Sequence, residues 1–182
     1  MRRLTDFLYE KASPKAIIAT AVLTAVVVIT NFTLYFTKFL TITGGTAYME
    51  LNTGYLPADL FAFAESYGEA GRRMYIAMSA TLDLLTPFFG ALLMAWIALC
   101  FAKKKGDTHL CSGTVLCAAA MCLSDWAENV CMITILANYP ARITAAAYLA
   151  RIFTALKYVL MIVLLVLLVL NIKGKMHTDS LA

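Results

Sequence analysis

Charge is what this sequence has least of. Only 14% of its 182 residues are Asp, Glu, Lys or Arg, while 62% are hydrophobic. Soluble domains average about 25% charged and 45–50% apolar, so a water-soluble globular enzyme is excluded. A disordered chain is excluded too, because such chains are poor in the apolar residues abundant here. Histidine is nearly absent: His109 and His177 fall in a short polar connection and in the tail. No intramembrane His, Cys and carboxylate set has metal-ligand spacing, so neither a metal nor a cofactor is expected. The cysteines, Cys100, Cys111, Cys117, Cys122 and Cys131, form no C-x-x-C pair. That excludes a disulfide framework and a closely spaced redox dithiol, and the thiols read as buried apolar side chains in helices. Internal repeats and low-complexity runs are also missing.

Long apolar runs are what the sequence does have. A transmembrane helix needs about 20 predominantly apolar residues, and the mean hydropathy of +0.78 is carried by four such segments. They cover about residues 16–36, 75–101, 110–136 and 147–170. The first is too long for a secretory core and lacks a clean cleavage site, so it reads as a retained anchor. The short connections at 103–108 and 138–142 make the last three spans antiparallel neighbours. The expected fold is all-α, one domain over 1–182, an up-down-up-down bundle of four transmembrane helices.

The net charge of +4 follows topology rather than nucleic acid. Arg2, Arg3, Lys11, Lys15, Lys103, Lys104, Lys105, Lys173 and Lys175 share one side of a four-span chain. On the other side Lys38, Arg72, Arg73 and Arg142 are offset by Glu50, Asp59, Glu65 and Glu69. The positive-inside rule then puts both termini in the cytoplasm of a plasma or inner membrane. The connection at 37–74 is the outer loop. Gly44, Gly45 and Gly54 suggest irregular chain at its start. From Pro57, the residues Leu60, Phe61, Phe63, Ala64 and Tyr67 share one face, and Gly68 could end a short amphipathic helix. It is read as an interfacial anchor or as a lid over the bundle.

A few polar residues remain inside the spans, where a charge costs at least a few kcal/mol. Asp83 lies in the second helix, Asp125, Glu128 and Asn129 in the third, Lys157 in the fourth and Asn31 in the first. At 1.5 Å per residue, Asp83 and Glu128 both sit roughly 12 Å below the outer boundary. Asp125, Glu128 and Asn129 stand at i, i+3 and i+4, on one side of a helix. Acids outnumber the deep base, so at least one of Asp83, Asp125 and Glu128 is a candidate proton carrier or general acid/base. Lys157, Asn129, Asn31, Tyr158, Trp126 and Arg72 are the candidate ligand contacts, Trp126 and Arg72 equally readable as packing and headgroup anchoring. Pro87 removes a backbone bond and can free the Asp83 carbonyl.

The set Tyr67-Gly68-x-x-Gly71-Arg72-x-x-Tyr75, Asp83-x-x-x-Pro87, Asp125-x-x-Glu128-Asn129, Tyr139-Pro140 and Lys157 resembles a group of small bacterial four-span membrane proteins. That resemblance implies a common site and no particular activity. Asp83-x-x-x-Pro87-Phe88-Phe89 is similar to the second helix of the emopamil-binding and sigma-2-receptor-like family. That similarity implies a ligand of sterol or cationic amphiphile type, without the intramembrane His of an isomerase.

Three functions are therefore expected to compete. The first is an outward-opening intramembrane site that binds, and can chemically process, a small amphipathic or lipid-like molecule. The second is a proton-coupled transporter acting as a homodimer. The third is an accessory subunit whose charges form a purely structural network. Membrane lipids are expected partners, and nucleic acid is not.

Overall fold

The computed structural model describes residues 2–46, 48, 49, 54–105 and 109–179. Glu50, residues 106–108, and the side chains of Arg2, Arg3, Lys104, Lys105, His109, Lys173, Lys175 and His177 lie outside the described residues. Helix α1 (Arg2–Lys11) leads into α2 (Pro14–Asn31), a π-helical turn (Phe32–Phe36) and α3 (Thr37–Ile42). Two short helices follow, α4 (Asp59–Ser66) and α5 (Gly68–Ser79). Then come the long α6 (Leu82–Lys105), α7 (His109–Ala137) and α8 (Thr144–Asp179). No strand occurs among the described residues, and four stretches are long and apolar enough to cross a membrane: Pro14–Ile42, Gly68–Lys103, Cys111–Ala137 and Thr144–Leu170. The chain is a multi-pass, all-α membrane protein.

Span boundaries follow local chemistry. Ser13 accepts the Ala16 N–H at 3.2 Å and Pro14 opens the helix, so α2 starts at a capped end. The first span runs past Phe36, where the sequence reading ended it, as far as Ile42. The reason is that Thr33, Thr37 and Thr41 each return their hydroxyl to the carbonyl four residues back, at 2.8, 2.6 and 3.0 Å. Threonines bonded this way expose little polarity to lipid. The span stops at Gly44 and Gly45, both with positive φ.

The second span is broken. Instead of one helix over 75–101, α5 ends at Ser79 and α6 begins at Leu82. The Thr81 hydroxyl takes the Ala77 carbonyl at 2.6 Å and so covers one of the carbonyls left at the end of α5. The fourth helix also outlasts its expected end at 170, continuing to Asp179.

The helices pack in chain order, α2 on α6, α6 on α7, and α7 most extensively on α8. Helix α7 is the centre: 44% of its span is buried against 11% of the first span and 17% of the last. On α8, Val159, Ile162, Val163, Leu165, Val166, Val169 and Leu170 are exposed while Leu164 and Leu168 turn inward, as expected for a lipid-facing end. In the run 118–120 only Ala118 is buried, and it packs with Ala91, Ala98 and Leu164. All five thiols are free, four of them buried and Cys100 partly so. At the other end of the bundle α1 is tied down by Lys103, whose ammonium donates to the carbonyls of Glu10 (3.1 Å) and Ala12 (2.9 Å).

The 37–74 connection is more ordered than its glycines suggest. Residues 37–42 and 68–74 are helical, and the described residues between them, 43–46, 48, 49 and 54–67, fold into a cap over one end of the bundle. Leu60 and Ala64 of α4 are buried with Ile135 and Leu136 of α7 and Ala146, Ala147 and Ala150 of α8. Four rings form the centre of the cap: Phe39 meets Tyr67 edge-on at 4.8 Å, Tyr48 stacks on Tyr75 at 4.9 Å, and Tyr67 stacks on Tyr75 at 6.0 Å. Gly68, at φ +62°, turns the chain from α4 into α5. Gly71 lets α5 approach α3, since a Cβ there would meet the Thr43 methyl at 2.7 Å.

Candidate functional site

The polar residues of four spans converge beneath the cap. On α7, Asp125, Glu128 and Asn129 share one side, as their spacing requires. Lys157 of α8 reaches across to Asp125 Oδ1 at 2.9 Å and to Glu128 Oε2 at 2.5 Å. The Glu128 side chain is 1% exposed, so its charge relies on that ammonium and on one hydroxyl. The hydroxyl is Thr154, one turn before Lys157, which donates to Glu128 Oε1 at 2.7 Å. The Tyr55 phenol lies 2.6 Å from the same hydroxyl. The single Thr154 hydrogen is shared between Glu128 and the Ala150 carbonyl at 2.9 Å, both acceptors, so Tyr55 is the donor to Thr154. A continuous chain Tyr55–Thr154–Glu128–Lys157–Asp125 thus joins the cap to the bundle interior.

Tyr55 and Thr154 carry this link. Thr154 is recognisable from its place one turn before Lys157 on the same helix face, whereas Tyr55 carries no sequence signal beyond lying near Gly54. Burial in the cap holds the Tyr55 phenol above its ordinary value near 10.0. A tyrosine raised by burial contributes its full stability below about pH 10, where folded and unfolded chains are both neutral, and loses it as the unfolded chain begins to ionise. Wild-type protein will therefore lose cap protection against proteolysis at residues 54–58 as pH rises above 10. Tyr55→Phe will start about 1 kcal/mol less stable and will lack that alkaline step.

Asp83 belongs to a second, looser pair. It sits in the first turn of α6, just after the break, and its Oδ1 accepts the Asn31 amide at 2.9 Å across the α2–α6 contact. It is within electrostatic range of Asp125, Glu128 and Lys157, but no ion pair to it is found among the described residues. Asn31 directly precedes the π-helical turn, so both backbone irregularities flank this pair. The remaining polar atoms, Asp83 Oδ2 and Asn31 Oδ1, are buried with no hydrogen-bond partner among the described residues, as are Ser79 Oγ and Asn129 Nδ2. In a membrane interior such atoms cost several kcal/mol each unless something bonds them. The Asn31 amide donates to Asp83, so both leftover atoms of the pair are acceptors, and they call for a donor.

No protein-family profile, curated protein or solved structure matches the chain.

The other expected contacts are placed as follows. Trp126 donates its indole N–H to the Leu84 carbonyl at 2.9 Å and ties α7 to the first turns of α6. Pro87 has no N–H to offer the Asp83 carbonyl, and α6 continues through it. Tyr158 lies beside the Lys157 ammonium, 5.8 Å from ring centre to nitrogen. Arg72 stands apart from the carboxylates: it donates to the Ala64 carbonyl at 2.9 Å and its guanidinium lies 4.0 Å over the Tyr139 ring. Its job in this geometry is to fasten α5 to the end of α4 and to the α7–α8 connection. Arg151 lies 5.5 Å over the ring of Tyr55. Asp125 and Glu128 are thus engaged by Lys157, and Asp83 with Asn31 is the arm with capacity left over.

Proposed function

We propose that this protein binds a small amphipathic or lipid-like molecule with a hydrogen-bond-donating or cationic head, received by Asp83 and Asn31 under the cap. One observation carries the reading: Asp83 Oδ2 and Asn31 Oδ1 are two buried acceptors with no donor among the described residues. Excess carboxylate over ammonium favours a cationic or donor head over an anionic one. Asp125, Glu128 and Lys157 hold the helices around that pair in register, and Ser79 and Asn129 offer further polar atoms to the head. The flanks rich in Arg and Lys support a plasma or inner membrane with both termini in the cytoplasm, which makes the capped end external.

The test uses purified protein in nanodiscs and two probes of equal chain length, dodecylamine and dodecanoate. At a hundredfold excess over Kd a bound probe adds about 2–3 kcal/mol, seen as a raised Tm. Dodecylamine will stabilise the protein and dodecanoate will not. Asp83→Asn, which keeps the shape and the Asn31 contact, will remove the effect. Equal responses to both probes, or an unchanged response in Asp83→Asn, would overturn the reading.

A transport reading has one observation in its favour. The break between α5 and α6 lies beside Asp83, and transporters commonly hold substrate at interrupted helices. With only four spans it requires a second copy. Proton-driven amine flux in proteoliposomes that disappears in Glu128→Gln would favour it over simple binding.

A further inference from the structure

A surface groove of about 670 Å³ runs down one side of the capped end, lined by Glu69, Ala70, Arg73, Met74 and Ala77 of α5 and by Tyr35 of the π-helical turn. Its volume falls within the roughly 300–1,000 Å³ of small-molecule sites. The α5 residues follow at i, i+1, i+4, i+5 and i+8, so they form one stripe about 12 Å long. The stripe is graded. Its upper end, near the cap, carries Glu69 and Arg73 with Ala70 beside them, and its lower end carries Met74, Ala77 and the Tyr35 ring. Beside its lower end the Thr81 hydroxyl, whose hydrogen goes to the Ala77 carbonyl, lies 3.3 Å from the Tyr35 phenol and accepts from it. Tyr35 is one turn from Asn31, and Thr81 is two residues from Asp83. The groove therefore ends beside the pair that holds the unpartnered acceptors.

Glu69 and Arg73 bond each other across one turn, with side chains 71% and 79% exposed. Such an exposed pair contributes little to stability, so it opens readily to a better partner. Their chemistry specifies that partner. A guanidinium binds a phosphate through two parallel hydrogen bonds, and a carboxylate accepts hydrogen bonds from a primary ammonium. An ammonium and a phosphate side by side are the head of a zwitterionic phospholipid. A quaternary ammonium would give Glu69 no hydrogen to accept, and a glycerol head would give it no charge.

We propose that this groove seats one phospholipid whose head carries a phosphate and a primary ammonium. The phosphate lies on Arg73, the ammonium on Glu69, and one acyl chain lies along Ala70, Met74 and Ala77 against Tyr35. The proposal rests on the amphiphile-binding reading above and specifies the lipid class and the lateral route by which it reaches Asn31 and Asp83.

Native mass spectrometry of protein released from nanodiscs of mixed phosphatidylethanolamine, phosphatidylcholine and phosphatidylglycerol tests it. The ethanolamine lipid will be retained about fivefold over either of the others, the discrimination available to one exposed charge contact. Glu69→Gln will abolish that preference, and Arg73→Gln will lower the retention of all three lipids, which share the phosphate. Ala77→Trp, at an exposed position, will fill the groove and remove the bound lipid while leaving the helical circular dichroism signal unchanged. Equal retention of the three lipids, or retention unaffected by Ala77→Trp, would overturn the proposal. If dodecylamine still stabilises the protein and Asp83→Asn still abolishes that effect, the groove alone is wrong. If the lipid preference holds while Asp83→Asn changes nothing, the Asp83 reading alone is wrong.

Discussion

Lys157→Met will leave little folded protein. The substitution keeps the length and apolar stem of the side chain, so packing changes least. What it removes is the ammonium 2.9 Å from Asp125 and 2.5 Å from Glu128. Breaking a buried pair by deleting one partner costs about 3–5 kcal/mol, because the surviving charge stays buried without compensation. Here two carboxylates lose their partner at once, and Glu128, 1% exposed, has no route to water. Fluorescence-detected size-exclusion after heating will show the loss as a lower midpoint and an aggregated fraction. Adding Asp125→Asn and Glu128→Gln to Lys157→Met will restore most of the folded fraction, because neutral side chains of the same shape need no counter-charge. Full stability of the single variant would mean that the network contributes nothing to the fold. Failure of the triple variant to recover would mean that the ammonium acts through contacts other than these carboxylates.

Tyr75→Ala will detach the cap from the bundle. Tyr75 is fully buried and stacks on both Tyr48 and Tyr67, while Phe39 meets its edge at 6.1 Å. Removing a large buried ring costs about 3–5 kcal/mol. That loss falls on the cap and not on the spans, whose backbone bonds have no water to turn to within the hydrocarbon. The expected result is therefore selective. Residues 43–46 and 54–58 become open to protease at 25 °C, while the helical circular dichroism signal falls only slightly. With Tyr55 withdrawn from Thr154, dodecylamine will also exchange faster from the Asp83 site. Global unfolding would show instead that the cap and the spans fold as one unit.

Much of the site was legible before any coordinates. Asp83, Asp125, Glu128, Lys157 and Asn31 could be picked out because charge or amide inside an apolar run is costly, and their common depth followed from the helical rise. The amphipathic α4 was legible from its apolar face and from Gly68. Three features were not. Tyr55 reaches Thr154 across 99 residues of chain, and no local pattern encodes such a contact. The break between Ser79 and Leu82 passed unnoticed because hydropathy continues through it. The extension of the first helix to Ile42 was hidden because threonine reads as polar in composition, although its hydroxyl is bonded within the helix.

The sequence by itself determined the class and the count of spans. With so few charges and four long apolar runs, burial in lipid is the only way to satisfy both side chains and backbone. The sequence also determined that a handful of ionisable groups had to meet, since none could stand alone at that depth. The tertiary structure decided how they divide. Lys157 reaches α7 from α8 and engages Asp125 and Glu128, while Asp83, facing α2, finds among the described residues only the amide of Asn31. Pairing depends on which helix faces which and on a few ångströms of reach. Those are consequences of packing, and they leave Asp83, rather than the more conspicuous Asp125 and Glu128, as the carboxylate with an open side.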